Sequence, residues 1–286
     1  MFEVIRLETF LYIDLLSETI DYVYHRYLTN NFLNEDYKPL DINAQNFKAS
    51  ILTALYEYNH NNDKSENKLI NLLNEKFEKI NMSFKKSNAQ NAKYPTSGIV
   101  RADCYDSGDI IVQINQMFFD ILINTPIDGT PTNRLNILIE DLFKIYGHEY
   151  THRCQFNVSN NNLKGLNINT LNDIKETKSY LSNPQEIDAH AREAAIELLL
   201  SGMTISDIKS LFNMSENNEK LAHVSKTFAK YWYLFAKKPY SEIEIKPTDI
   251  KTFNSFKQNI YKFLELDSNN INKQDLIKLI RSKTNI

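Results

Sequence analysis

The sequence predicts an α+β fold, predominantly helical, in which a small sheet lies between two sets of helices. Apolar residues recur at helical spacing toward both ends of the 286-residue chain, three short strand-like segments lie close together before its midpoint, and no internal repeat is present. We therefore expect three regions: an N-terminal helical region (residues 1–65), a core that contains the sheet (66–202) and a C-terminal helical region (203–286).

The first helices are predicted from the spacing of apolar residues, and they cover residues 2–28, 44–58 and 68–80. Three strands follow, over residues 82–85, 98–104 and 109–115. The last strand is the clearest of the three, because its β-branched run comes directly after a turn at Asp106-Ser107-Gly108.

After the sheet the pattern is helical again, beginning with a short helix over residues 116–123. Pro131 indicates the start of a longer helix over residues 133–156, and the next helix begins at Asn183 or Pro184 and runs to Leu200. Beyond Gly202 the remaining predicted elements are helices over residues 205–212, 219–235, 252–266 and 273–281, with an extended segment over residues 241–246.

The composition excludes several classes of function. Only 6 glycines are present, and neither GxGxxG nor GxxxxGK[ST] occurs, which argues against a nucleotide-binding loop. The net charge of -3 disfavours nucleic acid as a partner, since proteins that bind phosphates normally carry a basic excess. Two cysteines cannot form a disulfide scaffold, and no segment resembles a signal peptide or a membrane span. We expect a protein of the cytoplasm with no membrane partner.

The most informative segment is His148-Glu149-Tyr150-Thr151-His152, an HExxH motif inside the helix predicted over residues 133–156. Residues four apart lie on one face of a helix, so both imidazoles can bind one metal ion. Glu149 points to the side of that pair, where it can reach water at the metal without binding the metal itself.

A third ligand is expected from the helix that begins near Pro184, which contains three candidates. Glu186 falls in the first turn or two of that helix, and small residues such as Ala189 favour a close approach to the HExxH helix. Asp188 and His190 are the alternatives, the first on a different face of the helix and the second one turn further along the same face.

With HExxH on one helix and a Glu on a second, residues 66–200 resemble the gluzincin group of zinc metallopeptidases. The resemblance implies a zincin-like core, with His148, His152 and Glu186 as the ligands of Zn²⁺ and Glu149 as the general base that activates a zinc-bound water for hydrolysis of a peptide bond. The substrate would be a protein or a peptide, paired with residues 109–115 as an edge strand. Residues 186–212 are also similar to metallopeptidases encoded by bacteriophages.

One departure from the gluzincin pattern concerns the residue four positions after the ligand Glu. Some members carry an Asp there to orient a zinc-bound His, whereas this chain has His190. Glu193 and Asp188 are therefore the candidates for that orienting role. His190 and Tyr180 are the candidates for stabilising an oxyanion during catalysis.

Two other functions are compatible with the same residues. One is an intracellular regulatory protease of the ImmA/IrrE kind that acts on a single partner, although no helix-turn-helix signature is evident. The other is a zincin-fold protein that serves as a structural or binding module without catalysis, although such a protein has no need of Glu149.

Overall fold

The computed structural model describes residues 37–86, 100–104, 108–124, 133–158, 174–212, 217–237 and 245–271. It is mostly helical with a small sheet, which confirms the α+β prediction. The strands are β1 (Met82–Lys86), β2 (Val100–Cys104) and β3 (Ile110–Ile114). The helices are α1 (Ala44–Asn59), α2 (Glu66–Phe77), α3 (Gln116–Ile123), α4 (Asn133–Val158), α5 (Ile174–Leu181), α6 (Pro184–Leu200), α7 (Ile205–Phe212), α8 (Asn218–Val224), α9 (Lys226–Phe235) and α10 (Pro247–Asp267).

The sheet has the order β1-β3-β2, with β1 parallel and β2 antiparallel to β3. The prediction that residues 109–115 form an edge strand is therefore wrong, because β3 is hydrogen-bonded on both sides. The side chains of Ile110, Val112 and Ile114 are fully buried, as expected for a strand in the middle of a sheet. An apolar β-branched run identifies a strand but does not show how many neighbours it has.

Helix α6 is the central element, since it packs against both α4 and α10. The side chain of Asn183 caps its first turn by accepting from the backbone N–H of Gln185, and Pro184 has the backbone angle that a first helical residue needs. The helix ends at Leu200, and Gly202 follows with φ of +87°, the left-handed conformation in which glycine is favoured.

A glycine controls how closely α4 and α6 approach each other. A Cβ atom added at Gly147 would lie 2.2 Å from Cδ1 of Ile196, which is fully buried on α6. Any larger residue at position 147 would require the two helices to separate or Ile196 to move. The residue directly before the HExxH motif therefore permits the contact between the two helices.

The helices of the structure differ from the predicted ones in several places. The helix predicted over residues 219–235 is two helices, because Ser225 is extended and its hydroxyl caps α9 by accepting from the N–H of Phe228. Helix α5 was not predicted, and α10 begins at Pro247 rather than at residue 252. The predicted helices over residues 2–28 and 273–281, and most of the extended segment over 241–246, lie outside the described residues.

Two side chains of α4 contact the segment before α1. Tyr150 donates its hydroxyl hydrogen to Asp41, at 2.8 Å, and Arg153 contacts the same carboxylate and donates to the carbonyl of Ile80.

The division of the chain into an N-terminal region, a core and a C-terminal region stays a prediction. In the described parts of the chain, no helix is both long and apolar enough to cross a membrane.

Candidate metal centre

Three side chains from α4 and α6 bring their ligand atoms together. Nε2 of His148 lies 3.3 Å from Nε2 of His152, and the two carboxylate oxygens of Glu186 lie 3.7 Å from these nitrogens, Oε2 from that of His148 and Oε1 from that of His152. Ligand atoms around a tetrahedral Zn²⁺ with bonds of about 2.0–2.2 Å are separated by roughly 3.3–3.6 Å. His148, His152 and Glu186 could therefore hold a metal ion, with only small movements of the side chains.

The ring of His152 is oriented by a hydrogen-bond chain that ends on the other helix. Its Nδ1 lies 2.8 Å from Oε1 of Gln155, and the amide nitrogen of Gln155 donates to the backbone carbonyl of Gln185 at 3.1 Å. Burial, reinforced by the neighbouring His148, lowers the pKa of His152 to about 4. The ring is thus neutral near pH 7, and neutral imidazole is the form that binds metals.

The ring of His148 contacts a carboxylate further along α6. Its Nδ1 lies 3.5 Å from Oε2 of Glu193, and Nδ1 of His190 lies 3.0 Å from the same oxygen. Burial acts to raise the pKa of Glu193, but the hydrogen bonds from His148 and His190 hold it well below the ordinary value. These three residues form a second group whose atoms could hold a metal ion.

The two sequence candidates for the orienting role are thus in different places. Glu193 contacts His148 directly, whereas Asp188 accepts a hydrogen bond from the side-chain amide of Asn259 on α10. Asp188 also lies outside both groups of residues that could hold a metal.

The two candidates for oxyanion stabilisation lie beside Glu186. The hydroxyl of Tyr180, on α5, donates to Oε2 of Glu186, and burial raises the pKa of Tyr180 well above its ordinary value. Nε2 of His190 lies 4.0 Å from the same carboxylate oxygen. That nitrogen is buried and has no hydrogen-bond partner among the atoms that the structure describes. Burial also lowers the pKa of His190.

Glu149 follows His148 on α4 and is 8% exposed. Its charge, with those of Glu186 and Glu193, adds to burial in raising the pKa of Tyr180. Glu149 therefore lies within electrostatic reach of the Tyr180 hydroxyl, which itself donates to Glu186. Of the predicted site residues, the structure thus brings together His148, His152, Tyr180, Glu186 and His190, and it places Asp188 elsewhere.

Sequence reasoning missed two residues that shape this centre, Gln155 and Gly147. Gln155 lies three residues after His152 on the same helix, a spacing from which a contact between the two side chains can be expected. Gly147 lies inside a strongly predicted helix, where glycine is unfavourable unless close packing requires it.

The chain was compared with protein-family models, curated proteins and solved structures, and none of them matches it. The interpretation of the centre therefore depends on the residues of this chain alone.

Proposed function

We propose that this chain is a zinc-dependent metallopeptidase with the ligand set of the gluzincins: His148, His152 and Glu186. The observation that carries the proposal is the separation of 3.3–3.7 Å between the two imidazole nitrogens and between each of them and one carboxylate oxygen of Glu186, on two helices in close contact. The resemblance of the HExxH and Glu segments to gluzincins supports the same assignment.

The chemistry of the three side chains favours Zn²⁺ over Mg²⁺ and Ca²⁺. Two imidazoles and one carboxylate are a ligand set typical of catalytic zinc, whereas Mg²⁺ and Ca²⁺ prefer oxygen ligands. Three protein ligands leave the fourth position of a tetrahedral ion open, as catalytic sites require. When bound, zinc supplies a Lewis acid that polarises a carbonyl group and lowers the pKa of water.

In this proposal Glu149 holds and moves the proton. It accepts a proton from the water that attacks the peptide carbonyl and delivers that proton to the amine leaving group. The burial of Glu149, directly after His148 on α4, suits this role. A carboxylate that is largely shielded from bulk water interacts more strongly with a nearby proton donor.

The order of the strands in the sheet suggests which strand an extended substrate peptide pairs with. Because β3 is paired on both sides, it cannot accept another strand, and of the two outer strands β2 is the one in extensive contact with α4. We propose that the substrate backbone pairs with β2, as extended peptides pair with sheet edges in other proteins.

Peptide cleavage by the wild type and by Glu149→Gln tests the proposal. Both proteins should contain about one zinc ion per chain by mass spectrometry, because Glu149 does not bind the metal. The variant should cleave a mixture of peptides at least roughly 100-fold more slowly, since that is the contribution of a positioned acid–base group.

Glu140→Gln, an exposed residue nine positions earlier on α4, is the matched control and should cleave at the wild-type rate. If wild type and Glu149→Gln behave alike with zinc retained, the chain is a metal-binding protein without this catalysis. If the wild type contains no zinc after growth with added zinc, the metal assignment itself is wrong.

A further inference from the structure

The second group of residues that could hold a metal ion has its own set of donor atoms. It consists of His148 on α4 and of His190 and Glu193 on α6, and their ligand atoms lie within 4.8 Å of one another. Oε2 of Glu193 is 3.5 Å from Nδ1 of His148 and 3.0 Å from Nδ1 of His190. Two imidazoles and one carboxylate are also the donors of the proposed zinc centre, so both groups suit the same kind of ion.

His148 belongs to both groups, but through different ring nitrogens. Its Nε2 faces His152 and Glu186, whereas its Nδ1 faces Glu193. A neutral imidazole offers a lone pair on only one of its two nitrogens, so His148 can bind one ion at a time. The two groups are therefore alternative positions for a single ion rather than the two halves of a centre with two ions.

The second group is partly enclosed by aromatic rings. The rings of His148 and His190 have centroids 4.6 Å apart and lie at 67° to each other. Tyr231 of α9 lies 5.8 Å from the ring of His190 and is itself stacked on Phe256 of α10 at 3.8 Å. An apolar shell of this kind controls the access of water to a metal site. The donors of the second group are thus half-buried and held by packing, unlike acidic groups at an open surface.

We propose that His148, His190 and Glu193 form a second position for a divalent ion of the zinc type, which is filled in place of the first and not together with it. An ion in this position withdraws His148 from the first position, so a chain loaded in this way should not cleave peptides. The inference rests on the proposed function only in taking His148, His152 and Glu186 as the first position.

Titration of the metal-free, full-length chain with zinc tests the exclusion of one position by the other. By isothermal titration calorimetry the wild type should bind one ion per chain at saturation. Two ions per chain, the second of them lost in Glu193→Gln, would overturn the claim that the two positions share one ion.

A variant that lacks one ligand of the first position tests the second position itself. His152→Ala leaves the second group complete, so it should still bind one zinc ion, more weakly than the wild type. In this background Glu193→Gln should weaken zinc binding by at least about 10-fold, the smallest usual cost of losing even an outer partner of a metal ligand. Glu186→Gln should have little further effect in the same background. In the otherwise wild-type chain the order is reversed, because there Glu186 is the ligand and Glu193 is not.

The reversal of that order separates a ligand from a supporting residue. If Glu186→Gln is the more damaging substitution in both backgrounds, the proposal is wrong, because a residue that only supports His148 does not become more important than a ligand. If a folded His152→Ala binds no zinc, the second position does not exist, while the proposed function is unaffected.

Asp188→Asn is the matched control in the His152→Ala background, since Asp188 accepts from Asn259 and belongs to neither group. Zinc binding should not change in that double variant. If His152→Ala does not fold, Glu186→Gln takes its place as the background, and His152→Gln and Glu193→Gln are compared in it. None of these measurements uses peptide cleavage, so failure of the peptidase proposal leaves them intact.

Discussion

At the scale of single residues, the candidate centre depends on which atoms are turned toward one another. His148, His152 and Glu186 direct their ligand atoms to one point, while each imidazole has its other nitrogen held by a different partner. A contact of this kind holds the imidazole ring in place before a metal binds, so the side chain loses less conformational entropy on binding. Glu186, the proposed third ligand, is the residue on which the family resemblance and the geometry can be tested most directly.

Glu186→Gln should lose zinc, because it replaces a charged ligand by a weakly binding amide. We expect zinc affinity to fall by more than the roughly 10–100-fold that the loss of an outer partner costs. The measurement is competition for zinc with a chelator of known affinity.

Asp188→Asn and His190→Gln are the matched controls on the same helix. Asp188 accepts from Asn259, and asparagine keeps an oxygen for that bond, so zinc affinity should stay at the wild-type value. His190→Gln should retain most of the affinity. Full zinc binding by Glu186→Gln, together with its loss in either control, would assign the third ligand to Asp188 or His190 instead.

At the scale of elements, the centre exists because α4 and α6 are in close contact. Gly147 on α4 leaves no room for even one methyl group against Ile196 of α6. In isolation the change from glycine to alanine favours a helix by about 1 kcal/mol. Overpacking of a buried contact costs about 1–3 kcal/mol, so the packing term should dominate here.

Gly147→Ala should therefore lower the free energy of unfolding in urea, despite the gain in helix propensity. Ile196→Val removes the Cδ1 atom that the new methyl group would contact. In that background Gly147→Ala should be neutral or stabilising, which corresponds to a favourable coupling of about 1–3 kcal/mol in a double-mutant cycle. If Gly147→Ala and Ile196→Val change the free energy of unfolding additively, a methyl group at position 147 does not clash with Ile196 and this explanation is wrong.

At the scale of the whole molecule, a buried ion pair joins distant parts of the chain. Arg192 on α6 donates two hydrogen bonds of 2.8 Å to Asp267 at the end of α10, and both side chains are 0% exposed. The guanidinium also donates to the carbonyl of Lys38, and Asp267 accepts from the N–H of Leu40. The pair thus fixes the start of the described chain and its last long helix to the helix that supplies Glu186.

Asp267→Ala should lower the free energy of unfolding by about 3–5 kcal/mol, because it leaves the Arg192 charge buried without its partner. Glu265→Ala, two residues earlier on α10, is the matched control. Glu265 pairs with Lys209 at the surface, where both side chains are well exposed, so its loss should cost about 1 kcal/mol or less.

The double variant Arg192→Met with Asp267→Leu should recover part of the stability lost in Asp267→Ala, since it removes the buried charge altogether. Equal effects of Asp267→Ala and Glu265→Ala in urea unfolding would contradict the role given to the buried pair.

The predictions from sequence succeeded where local pattern decides the structure. Apolar spacing predicted α1, α3 and α7 within a residue or so, because each buries one face of a continuous helix. The break at Ser225 was not predictable in this way. The hydroxyl of Ser225 donates to Glu197 of α6, 28 residues earlier, so the end of one helix and the start of the next depend on a contact distant in sequence.

The sequence by itself determined the types of the candidate site residues and their spacing: two histidines one turn apart on a helix, a glutamate beside the first, and an acidic residue at the start of a second helix. These follow from helical periodicity, which is local. Only the tertiary structure decided that Glu186, rather than Asp188, faces the two histidines, that Glu193 contacts His148 and His190, and that β3 is central in the sheet. Each of these depends on how α4, α6 and the strands pack, which residue spacing within one element does not specify.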